Sequence, residues 1–393
     1  MLNIVVNDEA TVREEVAMTK VNKSLIKKKK AKKLDIGLLV TIFILLSLGL
    51  IMVLSASAPS ALTYDGDSYF YFKSQLINAI IGIGGMMFFS FVDYRLYNKG
   101  RIPLIAICVA MLLLVLVLVP GIGVTVKGAT RWIKLGITFQ PSEIMKIALI
   151  VFLASRLSKD PKKNKKFWKG IFPNLMVVAI VCFLLYKEPH YSAIGIIAIV
   201  SAIMIFVSGM RMAQIFVAAP PILAVGIFYL LQDTYRVERL VSFLDPWKDL
   251  LDTGWQAVQS LYAVGSGGLF GVGLGNSTQK YMYIPEPHND FIFAIWSEEA
   301  GFIGAVAVII LFGIFIWRGI TIAMKAPDMF GTLLAIGITS LVAVQALLNI
   351  AIVSALFPVT GIPLPFFSFG GTALIILLSS CGVLLNISRN GVK

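Results

Sequence analysis

Charge is scarce in this chain. Asp, Glu, Lys and Arg together make up 14% of 393 residues, against about a quarter in an average soluble domain. With a mean hydropathy of +0.86, that scarcity excludes a water-soluble globular protein and leaves a polytopic membrane protein. Cysteine is scarcer still: Cys108, Cys182 and Cys381 all fall within apolar runs, with neither metal-ligand spacing nor a disulfide framework, and read as buried thiols. No repeat of fixed period and no low-complexity tract outside one basic segment is visible, which excludes solenoids and arrays. A cleavable leader is not expected either, because the first apolar run begins beyond residue 34 and is longer than a leader's apolar core.

What remains is apolar and continuous. Hydrocarbon offers backbone groups no water, so only helices or a closed barrel can span it, and runs that do not alternate select helices. The sequence predicts an all-α bundle of about ten membrane helices, over residues 36–57, 74–93, 102–119, 142–158, 170–186, 191–208, 214–231, 291–317, 330–355 and 369–387. The net charge of +13 does not signal nucleic acid, because the basic residues gather in short stretches between the runs, where they act as topology signals. KSLIKKKKAKK at 23–33 is the densest and suits anionic headgroups of the cytoplasmic leaflet. Placing that tail inside puts YRLYNKGR (94–101), the basic stretch 155–170 and WRGITIAMKAPD (317–328) on the same side. Both termini are then cytoplasmic, and the loop 232–290, between the seventh and eighth crossings, is external. The expected division is a basic tail (1–35), an integral membrane domain (36–388) and a short cytoplasmic end (389–393).

Against this background the stretch YIPEPHNDFIFAIWSEEAG (283–301) stands out. It places His288, Asn289 and Asp290 at the mouth of an apolar run and Glu298 and Glu299 two turns inside. Asn289 or Asp290 can cap the helix that begins there, and a carboxylate gains from the helix dipole. Capping does not account for the whole cluster. At 100° per residue, Asp290, Ser297 and Glu298 share one side of a helix and Glu299 points away. Ionisable groups in a span are costly and usually face a cavity, a partner or a substrate path.

Three further stretches carry chemistry or shape. In VKGATRWIKLGITFQPSE (126–143) and the residues after it, Pro141 suits a helix start and Lys146 falls one turn beyond Glu143. Lys127, Arg131 and Lys134 put positive charge on the external side against the topology rule, with Trp132 among them, which favours an anionic headgroup such as a phosphate or pyrophosphate. In YRVERLVSFLDPWKD (235–249), Arg236 and Arg239 share a helical face. They either extend that cationic site or belong to an amphipathic segment lying on the membrane. FPVTGIPLPFFSFGGT (357–372) is uncharged and turn-rich, an irregular backbone that shapes a groove. The glycine-rich GSGGLFGVGLGNS (265–277) lacks the strand, helix and acidic residue of a dinucleotide fingerprint, and also the Gly-Lys-Ser/Thr of a phosphate loop. Its glycines instead let backbone approach backbone or ligand.

The ordered set GATRWIKLG, QPSEIMK, FLDPW, WQAVQSLYAVGSGGLFGVGLGNSTQK, YIPEPHNDFIFAIWSEE and GIPLPFFSFGGT resembles, over nearly the whole chain, the SEDS family of cell-wall polymerases (FtsW, RodA, SpoVE), and its FtsW/SpoVE branch more than RodA. The resemblance implies a peptidoglycan glycosyltransferase that polymerises lipid II on the outer face of the membrane, in division or sporulation, together with a class B penicillin-binding protein. It places the family's essential aspartate at Asp290. A single base taking the proton of the attacking sugar hydroxyl is then expected, with Arg131, Lys134 and Lys146, and less directly Arg236, receiving the charge of the departing pyrophosphate. Trp132, His288, Ser297 and Glu298 complete the expected substrate side. A divalent cation, Mg or Mn, is an alternative source of positive charge, with Glu143 or Glu298 to hold it. KEPHYSA (187–193) departs from the family's Gln-Pro-Asp-like pattern by carrying His190. A lipid II flippase and a noncatalytic division scaffold are the competing classes.

Overall fold

A computed structural model describes residues 34–126, 129–135, 137–211, 234–248 and 254–391, with a few single positions between 212 and 250. Its helices are α1 (Ile36–Asp65), α2 (Phe70–Phe91), α3 (Ile102–Val117), α4 (Pro141–Lys159), α5 (Phe172–Lys187), α6 (Tyr191–Val207), α7 (Thr234–Leu244), α8 (Trp255–Ser266), α9 (Ile292–Met324), α10 (Met329–Val353) and α11 (Gly371–Asn390). Among the described residues, six segments are long and apolar enough to cross a membrane: α1, α2, Phe167–Lys187, α9, α10 and α11. α3 and α6 are shorter apolar helices. α4 runs beside them with Glu143, Lys146, Arg156 and Lys159 along its length. This is the multi-pass helical bundle expected. The segment expected at 214–231 lies almost wholly outside the described residues, as does the basic tail up to residue 33.

Hydropathy cannot rank these helices by depth in the bundle, because lipid and protein interior are equally apolar; burial can. Of α10's apolar stretch 67% is enclosed by protein, against 28% for α2, so α10 is central and α2 peripheral. The outer residues of α2, Ile77, Ile80, Ile81 and Phe88, are exposed. Such a surface would aggregate in water and suits lipid tails. Cys108 is exposed on α3 by the same logic, and only Cys381 is fully buried, so the expectation of three buried thiols is corrected: an apolar run marks a span, not the inward side of it. α2 and α11 approach so closely that a Cβ at Gly382 would lie 2.3 Å from the Met86 carbonyl oxygen, the small-residue contact that lets membrane helices pack without a hydrophobic driving force.

The bundle has two chemically different ends. At one, Asp35 accepts from Leu38 N at 2.9 Å, capping α1, and pairs with Arg318 of α9 at 2.6 Å. Nearby elements of this end are joined by the Tyr94 hydroxyl, which bonds Asp328 at the start of α10, and by Asn386 of α11, which accepts from Tyr94 N at 3.0 Å. The other end carries Asp290, the 357–370 segment and a three-stranded antiparallel sheet, β1 (Gly123–Val126), β2 (Ala129–Leu135) and β3 (Ile137–Phe139), in the order β1-β2-β3. Hydropathy alone shows only a loop there. Its strands are too short and too charged for a clear alternation, yet Val124, Thr125, Thr130, Ile133 and Thr138 are β-formers, and Ile133 is fully buried.

Candidate active site

Pro285 and Pro287 keep the chain irregular up to Asp290, and α9 starts at Ile292 with Phe291 as an N-cap that makes no side-chain cap bond. Asp290 therefore lies before the helix, and helical-wheel counting from it does not apply. It is fixed through its backbone: the Asn349 side-chain amide of α10 donates to Asp290 O and to Ile362 O, both at 2.7 Å. Asn349 is completely buried. Gly361, at φ +71°, closes the other side, where a Cβ would stand 3.2 Å from Asp290 Oδ2. Phe369 N donates to His288 O at 2.9 Å, so the 357–370 segment wraps the 288–290 turn at both ends. Replacing Asn349 by Leu removes the donor of two buried carbonyls and should cost about 2–4 kcal/mol, read as a lower thermal midpoint of the purified protein in detergent.

Arg131 sits at a β-bulge. Val124 opposes Trp132 and Thr125 opposes Thr130, which leaves Arg131 without a partner on β1. Bulges re-aim side chains, often beside active sites, and here the guanidinium reaches the turn between α5 and α6, donating from Nε to Glu188 O at 3.4 Å and from Nη2 to Pro189 O. Burial draws its pKa below the usual arginine range, opposed by the charges of Glu188, Tyr191 and Asp290. Lys146, 4% exposed, pairs with Glu143 at 2.7 Å, one helical turn apart as the spacing predicts. Lys146 and Arg131 both act on the buried His190 imidazole, which burial first and then these two cations hold down at about 3. Asp290, Arg131, the 188–190 turn and Lys146 thus form one electrostatic cluster drawn from four separate elements.

The other expected residues are placed differently. Lys134 is exposed opposite Thr138 and makes no ion pair among the described residues. Trp132 is half-buried beside Arg131. The side chain of Arg236 lies outside the described residues; Arg239, one turn on, donates to Val359 O at 2.9 Å, two residues from Gly361. His288 is 3% exposed and stacks against Tyr71 and Phe369, with ring centroids at 4.3 and 5.8 Å. Ser297 Oγ turns back to Phe293 O at 2.8 Å.

Glu298 is committed elsewhere. Its carboxylate accepts from Ser277 Oγ, from Thr278 N at 3.0 Å and Thr278 Oγ1 at 2.9 Å, and from Gln279 N at 3.4 Å. Glu299 takes Lys280 at 3.0 Å and Ser55 at 2.6 Å. Both acids anchor the glycine-rich loop, which lies against a break in α9 at Gly301 (φ 67°, ψ −169°). The groups that the break releases are met by that loop: Val272 N and Gly273 N donate to Glu298 O and Glu299 O at 3.0 and 3.1 Å, while Phe302 N and Ile303 N donate to Gly268 O and Leu269 O at 2.9 and 3.2 Å. Backbone approaching backbone is thus the use of these glycines. With Glu298 spent on the loop and Glu143 on Lys146, neither offers a free carboxylate to a divalent cation, and among the described residues no three His, Cys, Asp or Glu side chains converge.

Glu188, Asn349 and Gly361 complete the site without having been singled out as its members, and Arg239 and His190, each noted in the sequence, join them. A narrow cleft of about 40 Å³, lined by Glu143, Gln345, Pro363, Ser368 and apolar residues of α4, α10 and α11, adjoins it.

A half-buried carboxylate and two cations thus gather at one end of the apolar helical bundle of a multi-pass membrane protein. The profile of the FtsW/RodA/SpoVE family, described as cell cycle protein, matches residues 36–393, and the chain belongs to that family. It is 45% identical over 356 residues to stage V sporulation protein E of Bacillus subtilis (90% of this chain, 97% of that one). It is 42% identical over 360 residues to a protein of Trichlorobacter lovleyi named "Probable peptidoglycan glycosyltransferase FtsW" (91% and 94%). Among solved structures it is similar to a chain in a study of the structural coordination of polymerization and crosslinking by a peptidoglycan synthase complex, with TM-score 0.76, 27% identity and coverage of 91% and 98%. It is also similar to the rod shape determining protein RodA of Thermus thermophilus, with TM-score 0.67, 26% identity and coverage of 92% and 98%.

Proposed function

We propose that this chain is a peptidoglycan glycosyltransferase that polymerises lipid II on the outer face of the cytoplasmic membrane, in division or sporulation, with both termini in the cytoplasm and a class B penicillin-binding protein as partner. The observation that carries the reading is the placement of Asp290 within electrostatic range of Arg131, at the bundle end opposite the Asp35–Arg318 pair. The attacking 4-hydroxyl of one lipid-linked disaccharide is a poor nucleophile at neutral pH. Asp290 takes its proton as the bond to the anomeric carbon forms. The bond from that carbon to the lipid pyrophosphate breaks in the same displacement, and Arg131 and Lys146 receive the departing negative charge from fixed positions in a partly desolvated site. The apolar surface of the bundle keeps the polyprenyl tails in hydrocarbon while the sugars reach the site.

The test is to supply fluorescent lipid II to the purified protein together with its partner and to resolve the products on a gel. A ladder of glycan chains supports the reading. Transbilayer movement of the lipid without any ladder would replace it with the flippase, and neither activity would leave a scaffold.

A further inference from the structure

Arg131 meets the 188–190 turn through two backbone carbonyls, not through the carboxylate that the same turn carries. Glu188 is 0% exposed, and neither of its carboxyl oxygens has a hydrogen-bond partner among the described residues. A buried, ionised, unpaired carboxylate is among the costliest groups a protein can hold, and the usual escape is to keep the proton. Resting on the glycosyltransferase reading, we propose that Glu188 is a positioning residue that works uncharged: the neutral acid lets its turn grip Arg131 by the backbone without cancelling the guanidinium charge, which stays available to an anionic diphosphate.

Charge arithmetic decides the matter. The titratable groups of this cluster are Arg131 from β2, which acts on Glu188, Lys146 with its partner Glu143 from α4, His190 and Tyr191 beside Glu188, and Asp290 before α9, which acts on Arg131. His190 is neutral at about pH 7, so two cations stand against two carboxylates. An ionised Glu188 would tip the cluster to net negative, repelling the diphosphate it is meant to receive. Burial pushes Glu188 up to about 8 even though Arg131 pulls the other way, which places the change of state just above neutrality. The sign follows. Glu188 is protonated below that point, and as pH rises through it the new negative charge draws on Arg131 and weakens the site.

The measurement is a pH series of kcat/KM for labelled lipid II with wild type and Glu188→Gln, each referred to its own value at about pH 7. The wild type should lose roughly fivefold between about pH 7 and 9, and the amide variant, which has no proton to lose, should stay flat. Parallel curves, or a flat wild type, overturn the proposal. Infrared difference spectra of wild type against Glu188→Gln in lipid nanodiscs decide the charge state without turnover. A protonated-carboxyl band at about pH 7 that gives way to carboxylate on raising the pH supports the proposal, and a carboxylate band already present at about pH 7 overturns it. A protein that makes no glycan at any pH sinks the glycosyltransferase reading instead, and the spectra still answer for Glu188.

Discussion

Asp290→Asn should leave the protein folded and lower glycan polymerisation by roughly 10²–10⁴-fold, the share that a positioned general base supplies. The two halves of that expectation rest on different atoms. Folding uses the Asp290 carbonyl, held by Asn349, and the N-cap position of α9 is Phe291, so an isosteric amide keeps the local backbone. Chemistry uses the carboxylate, and an amide cannot take a proton at neutral pH. The thermal midpoint in detergent should therefore stay close to that of the wild type while the glycan ladder disappears. Asp290→Glu, one methylene longer in a space already bounded by Gly361, should recover only part of the rate. If Asp290→Asn retained more than about a tenth of the polymerisation, Asp290 would be an electrostatic or structural residue and the base would lie elsewhere.

The apolar runs that became α1, α2, α9, α10 and α11 were legible because the bilayer imposes length and composition on anything that crosses it. The mouth of α9 was legible for a related reason: an acid there has to be explained. What eluded sequence reading depends on contacts between distant residues. Arg131 meets Glu188 and Pro189 only because a bulge in a sheet of short strands turns it there, and no periodicity announces a bulge. Asn349 was visible as a polar residue in a span, but its two carbonyl partners lie 59 and 13 residues away. Glu298 was assigned to the Asp290 side by treating 290–299 as one helix, whereas Asp290 precedes the helix and Glu298 is drawn to the 277–279 turn. The break at Gly301 is silent to hydropathy, since glycine in an apolar run looks like any other small residue.

That break carries the other large expected effect. Gly301→Ala should prevent accumulation of folded protein, or lower its thermal midpoint by about 10 °C or more. The backbone at Gly301 (φ 67°, ψ −169°) lies in a region essentially closed to residues with a Cβ. An added Cβ would also stand 2.3 Å from Gly271 N and 2.7 Å from Leu269 O, and both atoms are backbone, unable to swing aside. Relieving the clash means parting the loop from the helix and losing four interlocking bonds. Nine residues into α9, about 14 Å below its start, no bulk water replaces them, and an unsatisfied backbone group in hydrocarbon costs several kcal/mol. Gly271→Ala should fail in the same way, because its Cβ would meet Glu299 O at 2.1 Å. Gly313→Ala, on the same helix with open space around it, should be tolerated or slightly stabilising, as alanine is the better helix former. Equal midpoints for the Gly301 and Gly313 variants would mean that α9 can straighten without cost. The glycine-rich loop would then be an appendage, when every bond it makes to α9 marks it as the piece that completes a broken helix and braces the segment leading out to Asp290.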